Sequence, residues 1–515
     1  MFLAHGLDVP PVDPRSLAPR ALSKAYVRHR SLGFLLVAAT GLCPNLAHGL
    51  EAEISAETAA QGYATRSPWG EPIVLRRRFQ QTLGLGLYEL QGERDPRGPT
   101  IFFRGRMRLD SDFGIADEEL AYDPVSQRFV PGLRRGEVDL MYGYLEGRRL
   151  FGGWFGFRLG RQYSFDSLGI WSFDGGLVRI TTPIYVRAEL YGGFEQRGGL
   201  PLSTPRFEQN GVWRGDRVGM DASVHPAFHQ AHLAPAYGVG IESTELPWLA
   251  VRFDYRKVQN QGETVVQMFP DPVTGTFVTE SGTRVSSERA GGRIGFTLAD
   301  HFHLDTGAIY DFYNALFASY HGAFDWYPTP DVIAGIDYEH YRPTFDGDSI
   351  FNFFAQEPMQ TATLRLAWRI TPRLDVEGSG GVRVFGNEGA FITSHQDEAQ
   401  LDWLGHAAAR HRFATADLGL RALVETGERG SRIGSDVYGE QRFLGDRWLA
   451  QARLSLYRFD DPLRPYGAID SFAYMTGFGF RAHEDALLRL EWEQAMNRLV
   501  GQRYRVLAML DVRVR

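Results

Sequence analysis

The chain has 515 residues, of which 43 % are hydrophobic and 23 % charged, and its formal net charge is -7. This mildly acidic balance argues against nucleic acid as a partner. With one cysteine, Cys43, the chain offers no disulfide or thiolate metal site of its own. The 58 glycines and 13 % aromatic residues fit a protein with many turns, closely approaching strands and aromatic girdles at membrane interfaces.

Residues 1–49 predict an exported protein. Arg28 and Arg30 precede the apolar run 32–43, LGFLLVAATGLC, which is too short to span a bilayer and suits a secretory signal. The small residues Ala47 and Gly49 then form a cleavage site. We therefore predict a signal peptide over 1–49. Residues 1–26 are too long and proline-rich for the basic region of a signal, so we expect translation to begin after them, near Val27. An N-terminal membrane anchor is the alternative.

From Leu83 onward the dominant hydrophobic period is two. In 101–110, IFFRGRMRLD, the side chains of Phe103, Met107 and Leu109 alternate with those of arginines. This is the pattern of a strand with one face in lipid and the other in a wet lumen. It recurs at 184–190, 249–256, 362–370, 374–383, 486–493 and 504–515. Segments of about 9–11 residues are long enough for a tilted strand to cross a membrane.

The connections between these segments predict a barrel. Short turns, such as 371–373 and 299–301, alternate with long polar stretches at 195–214, 259–287, 341–360, 385–403 and 426–446, which is typical of outer-membrane barrels. We predict an all-β fold, an antiparallel transmembrane β-barrel of about 18 strands (roughly 16–20). It would span 79–515 after a periplasmic lead-in at 50–78. A soluble propeller or sandwich is the alternative, but no repeat of about 40–50 residues is visible.

One stretch, 153–182, resembles a known family. Its sequence FRLGRQY at 157–163 is similar to the strand end that leads into the constriction loop of Gram-negative porins. The resemblance implies that the segment from Tyr163 to Thr182 folds into the lumen. The residues that it would place near the pore constriction are Asp166, Trp171, Asp174 and Arg179. The chain departs from the family at its end, where Val514 and Arg515 replace the usual terminal Phe.

Arginines dominate the predicted lumen face. The set comprises Arg104, Arg106, Arg108, Arg158, Arg187, Arg252, Arg256, Arg365 and Arg369. A ladder of unpaired guanidinium groups would select anions. The alternative is that they pair with Asp110, Glu189, Asp254, Asp375 and Glu377, which would stiffen the wall, and we favour this interpretation because the acids lie on the same faces.

The sequence thus predicts an outer-membrane channel for passive diffusion of small hydrophilic solutes, with anions among the candidates. A plugged structural or surface-interaction barrel is one alternative. A barrel hydrolase, with Ser394, His395 and Asp397 as its only candidate cluster, is another. The histidines at 225, 229 and 232 favour a loop over a metal site, so we predict no metal, cofactor or catalytic residue. Expected partners are outer-membrane lipid, the outer-membrane assembly machinery and the solutes, and homo-oligomer formation stays open.

Overall fold

A computed structural model describes residues 50–92, 98–115, 137–196, 234–265, 273–274, 279–299, 301–345, 357–386, 400–462, 467–499 and 501–514. These residues form a single antiparallel sheet of 22 strands. The strands are β1 Glu51–Arg66, β2 Pro72–Tyr88, β3 Thr100–Ile115, β4 Glu137–Leu150, β5 Phe155–Asp166, β6 Gly169–Thr181, β7 Val186–Glu195, β8 Pro235–Ser243, β9 Leu249–Val265, β10 Thr279–Leu298, β11 Phe302–Asp311, β12 Leu316–Thr329, β13 Val332–Tyr341, β14 Met359–Thr371, β15 Leu374–Phe385, β16 Gln400–Arg412, β17 Ala416–Gly427, β18 Gly430–Phe443, β19 Trp448–Asp460, β20 Ile469–His483, β21 Ala486–Asn497 and β22 Gly501–Val514.

The sheet closes on itself. Each strand pairs with its sequence neighbours, and β1 also pairs with β22 from Ile54 opposite Val514 to Arg66 opposite Gln502. Closure gives every strand a hydrogen-bonded neighbour on each side over at least part of its length. Among the described residues, no helix is long and apolar enough to cross a membrane.

The two faces of the wall differ as the alternation predicts. Outward residues on β14 include Leu364, Leu366 and Trp368, which are 64 %, 51 % and 49 % exposed. Between them, Arg365 points inward and forms ion pairs with acids of β12 and β13. The apolar side chains are therefore on the outside of the barrel and the charged ones line the inside, the arrangement of a barrel that sits in lipid around an aqueous lumen.

The two ends of the barrel also differ. One end has short connections, among them 151–154, 182–185, 299–301, 330–331, 372–373 and 484–485. The other end carries the longest ones, 116–136, 196–234, 266–278, 342–358 and 386–399. Both chain ends of the sheet, at Glu51 and Val514, lie at the short-turn end, because β1 leaves that end and β22 returns to it.

The strand count predicted from the sequence was wrong, since the wall has 22 strands and not about 18. Residues 51–66 and 72–88 are the strands β1 and β2, so the barrel begins at Glu51 and not at residue 79. The outward face of β1 carries mainly alanine, glycine and threonine, which weakens the apolar alternation. The expected long connection at 426–446 is instead the hairpin of β17 and β18, with a turn at 428–429. Residues 1–49, the predicted signal, lie outside the described residues.

Candidate functional site

The hairpin of β5 and β6 leaves the wall. β5 pairs with β4 only as far as Arg161, and β6 pairs with β7 only from Phe173 onward. Beyond these points the two strands pair with each other alone, from Gln162 opposite Phe173 to Asp166 opposite Gly169. We call residues 162–172 the inner hairpin, because their side chains contact the inward face of β7, β9 and β10.

A group of glycines marks where the hairpin bends. Gly160, Gly175 and Gly193 lie opposite one another on β5, β6 and β7, and Gly176 lies opposite Gly192. A Cβ atom on Gly175 would stand 2.2 Å from the Gly192 carbonyl oxygen, and one on Gly160 2.3 Å from the Gly143 carbonyl oxygen. Gly160 also has φ +127°, a backbone conformation that residues with a side chain rarely adopt. A Cβ atom does not fit at Gly160, Gly175 or Gly193. We call the five glycines on β5, β6 and β7 the glycine crease.

One face of the inner hairpin packs on the wall. Trp171 is 4 % exposed and stacks on Phe173 at a centroid distance of 4.3 Å, and Tyr191 of β7 lies 4.8 Å from Trp171. Ala236 of β8 and Val258 of β9 complete this buried cluster. Burial of aromatic side chains contributes about 1.5–3 kcal/mol each, so apolar contacts hold the hairpin against the wall.

Polar contacts anchor the tip of the hairpin. The Ser167 backbone N–H and its hydroxyl donate to Oδ2 of Asp254 on β9, at 2.8 and 2.7 Å. The Asp166 carboxylate, whose side chain is 1 % exposed, pairs with Arg256 at 3.4 Å. The Arg256 guanidinium also lies 4.7 Å from the Trp171 ring centroid. Leu168, 8 % exposed, reaches Gly291 on β10. The tip therefore crosses the inner face of β7 and β8.

A chain of ion pairs runs beneath the hairpin across the wall. Glu146 on β4 is 0 % exposed and accepts hydrogen bonds from Arg148, Arg158 and Arg179 at 2.6, 2.9 and 3.3 Å. Arg179 on β6 also pairs with Glu189 on β7. A buried carboxylate needs such partners, because an unpaired buried charge costs several kcal/mol.

The chain of ion pairs continues to β9. Arg252 pairs with Glu189 at 3.0 Å, with Glu242 on β8 at 2.8 Å and with Asp254 at 2.9 Å. Arg187 on β7 is the second partner of Glu242, at 2.7 Å. Because Asp254 also holds the hairpin tip, the wall network and the inner hairpin share one carboxylate.

The predicted constriction residues take three different positions. Asp166 and Trp171 lie on the wall side of the inner hairpin, where they contact Arg256 and the buried aromatic cluster. Asp174 lies on the opposite face and accepts two hydrogen bonds from Arg161, at 2.8 and 2.9 Å. Arg179 belongs to the chain of ion pairs.

The predicted lumen arginines are mostly paired. Arg158, Arg187, Arg252 and Arg256 pair with carboxylates of the wall and of the hairpin tip. Arg106 pairs with Glu57, and Arg365 pairs with Asp325 and Asp337 at 2.6 Å each. Arg369 lies 3.9 Å from Asp331 and 3.6 Å from Asp375. Arg108 is buried, with 2 % of its surface exposed.

Arg104 differs from the other predicted lumen arginines. It is exposed, donates to the Tyr88 hydroxyl at 3.0 Å, and lies 5.3 Å from the Tyr88 ring centroid. Within the described part of the chain, it forms no ion pair with a carboxylate. Arg104 is therefore the guanidinium of the set that is best placed to meet a solute.

Sequence reasoning found some of the acids and missed others. Glu189, Asp254 and Asp375 were expected as partners, whereas Glu146, Glu242, Asp325 and Asp337 were not. Strand alternation could have placed these acids on the inward face, but their partners depend on the register between strands. The histidines at 225, 229 and 232, and Ser394, His395 and Asp397, lie outside the described residues. Of the residues described, His483, Glu484 and Asp485 form a trio with closely spaced ligand atoms, in one exposed turn.

No protein-family model and no curated protein matches the chain. Solved barrels are similar to it. Pseudomonas aeruginosa OpdK, solved with vanillate, has TM-score 0.42 and 9 % identity, covering 91 % of this chain and 100 % of that one. Acinetobacter baumannii OccAB4 has TM-score 0.43 and 7 % identity, covering 92 % and 99 %. A BenF-like porin from Pseudomonas fluorescens Pf-5 has TM-score 0.42 and 8 % identity, covering 91 % and 100 %. Because these TM-scores lie below 0.5, the class of the protein rests on the geometry of its own chain.

The closed antiparallel ladder, the apolar outer face and the charged inner face are those of an outer-membrane-type β-barrel. Such a barrel satisfies all backbone groups within the sheet while presenting apolar side chains to lipid. The bacterial outer membrane is where barrels of this kind reside, and the class expected from the sequence is confirmed at the level of fold.

Proposed function

We propose that the protein is a passive channel for small hydrophilic solutes, narrowed by the inner hairpin. Strands in a sheet lie about 4.8 Å apart, and barrel strands tilt by about 35–45°. A closed ring of the 22 strands present here then has a backbone radius of roughly 20–24 Å. Side chains on the wall cannot fill a space of that width, so some other part of the chain must set the pore.

The observation that carries the proposal is the inner hairpin itself. It is anchored on Asp254 and packed on Tyr191, so it occupies space inside the wall. Irregular backbone is tolerated there because the wall and water satisfy its polar groups. The hairpin lies along one side of the wall, from β5 to β10, which leaves the opposite side, from β14 to β22, free of it.

We further propose that any anion preference rests on Arg104. Most of the predicted basic ladder is neutralised by carboxylates on the same wall, which removes its net charge from the field in the lumen. Arg104 is exposed and bonded to a neutral hydroxyl, so its charge is available to a passing anion. The constriction proposed for the inner hairpin carries a balanced charge pair on its open face, Asp174 with Arg161.

The remaining proposals concern processing and orientation. We propose that residues 1–49 are a cleaved signal, which N-terminal sequencing of the membrane-embedded protein tests. The short-turn end then faces the periplasm, as in other barrels with this asymmetry. Membrane insertion by the outer-membrane assembly machinery follows from the same class.

The channel is tested by conductance of the purified, refolded chain in planar bilayers. Stable single-channel steps in KCl, together with swelling of liposomes in small sugars and amino acids, are expected. A folded barrel that gives neither would support the plugged structural alternative. Turnover of ester substrates by the same preparation would instead favour a hydrolase.

A further inference from the structure

The tip of the inner hairpin carries apolar side chains on its open face, although it lies in a charged lumen. Trp171 and Asp166 point to the wall, so the alternate residues point away from it, toward the barrel axis. Two of these are Phe165 and Ile170, which lie opposite each other in the hairpin and are 61 % and 49 % exposed. Large apolar side chains exposed to water at such a position mark a binding surface more often than a structural need.

Aromatic rings connect this tip to the wall. Phe165 lies 5.7 Å from Tyr163 in an edge-to-face contact, and Tyr163 lies 5.6 Å from Tyr142 of β4. Tyr142 in turn lies 6.0 Å from Tyr144. We call Tyr142, Tyr163, Phe165 and Ile170 the ring track; Tyr144, 6 % exposed, lies behind it. The rings of the track present apolar faces, and its two tyrosines add hydroxyl groups that can exchange hydrogen bonds.

The charges beside the ring track are already paired. Arg158, which lies 4.9 Å from the Tyr144 ring centroid, pairs with Glu146 at 2.9 Å. Arg161 is held by both oxygens of Asp174, and Arg106 is paired with Glu57. The charges next to Tyr142, Tyr163 and Phe165 are thus balanced, whereas the exposed Arg104 lies beyond them on β3, opposite Tyr144. An uncharged solute loses less hydration there than an ion would, and ring faces are what the track offers it.

We propose that the ring track is a binding site for neutral solutes that carry a flat apolar face and hydroxyl groups, of which pyranose sugars are the class that fits. The CH face of a pyranose ring lies on an aromatic ring, while its equatorial hydroxyls reach tyrosine hydroxyls. The site gives the channel affinity for these solutes as they pass the hairpin. This inference rests on the proposed channel function, because it places the track on the path of the solute.

The test uses block of single-channel KCl current by three probes. Maltose presents two pyranose rings, sorbitol is an open-chain polyol with similar hydroxyls and no ring, and benzoate is a flat anion. We expect maltose to produce resolved, concentration-dependent blocks in the intact protein, and sorbitol to produce none at the same concentration. Replacing Phe165→Ser together with Ile170→Ser should weaken maltose block at least tenfold in channels that still conduct KCl. The conservative substitution Phe165→Tyr should retain the maltose block.

Each outcome decides the matter. Equal block by maltose and sorbitol, or block by benzoate alone, overturns the proposal, because recognition would then rest on hydroxyls or on charge. Maltose block that survives the double substitution overturns it too, since the site would lie elsewhere. A protein that conducts KCl but binds none of the probes refutes the ring track and leaves the channel standing. A protein that conducts nothing refutes the channel itself.

Discussion

Removing the carboxylate of Asp254 should release the inner hairpin. The carboxylate accepts two hydrogen bonds from Ser167, at 2.8 and 2.7 Å, and its side chain is 0 % exposed. Hydrogen bonds to a charged group contribute about 1.5–3 kcal/mol each, but water in the lumen replaces part of this after release. Arg252 keeps Glu189 and Glu242 as partners. Asp254→Ala should therefore weaken docking by about 2–4 kcal/mol, which raises the undocked fraction by roughly 30- to 1,000-fold.

Labelling of a buried tip residue measures this release. Leu168 is 8 % exposed in the docked hairpin, and Cys43 is the chain's only cysteine. In a Cys43→Ser background, Leu168→Cys should react slowly with a maleimide, and adding Asp254→Ala should accelerate the reaction by about two orders of magnitude, in line with the weakened docking. Asp337→Ala, which removes a lumen acid paired with Arg365, is the matched control and should leave the rate unchanged. Equal rates in the two acid variants would show that Asp254 does not hold the hairpin in place.

Three further predictions test the faces, the crease and the selectivity. Leu364→Arg should destabilise the barrel by about 2–4 kcal/mol in a refolding titration, whereas the inward Thr363→Arg should change its stability little. Equal losses of stability in the two variants would mean that the faces are misassigned. Gly193→Ala should lower the free energy of unfolding by about 1–3 kcal/mol, because its Cβ would stand 2.2 Å from a carbonyl oxygen of β6. Gly62→Ala, whose Cβ would have nothing within 4 Å, should leave the free energy of unfolding nearly unchanged. Arg104→Gln should lower the anion-to-cation permeability ratio, measured from reversal potentials, and Arg104→Lys should preserve it. An unchanged ratio in Arg104→Gln would show that Arg104 does not contribute to selectivity.

The sequence predicts the barrel best where the outward side chains are large. Segment 362–370 is recognisable as a strand because leucines and Trp368 alternate with arginines, and β14 covers it. β1 is not recognisable in this way, because its outward residues include Ala56, Ala60 and Gly62, whose small side chains give only a weak apolar alternation. The segment of β18 was predicted as part of a long connection for a related reason, since its inward charges, such as Arg432 and Asp436, resemble those of a polar loop.

The site is less accessible from the sequence than the wall. The resemblance at 157–163 pointed to an inward segment, and the contact of Ser167 with Asp254 gives that segment a definite position. The two residues are 87 positions apart, and no local pattern links them. The glycine crease is equally hidden, because Gly160, Gly175 and Gly193 come together only through strand register. Register and inward bending are tertiary properties that periodicity does not encode.

Single-channel conductance of a barrel without its inner hairpin tests the central claim most directly. Residues 163–172 make no ladder pairs with β4 or β7, so they can be replaced by an Asn-Gly turn that joins Gln162 to Phe173 without removing a wall strand. The double substitution Phe165→Ser with Ile170→Ser keeps the hairpin and serves as the control. If the hairpin sets the pore, the shortened protein, shown to be folded by its heat-modifiable mobility, has a larger conductance in KCl than both the unaltered protein and the control. An unchanged conductance in the folded, shortened protein would contradict the account.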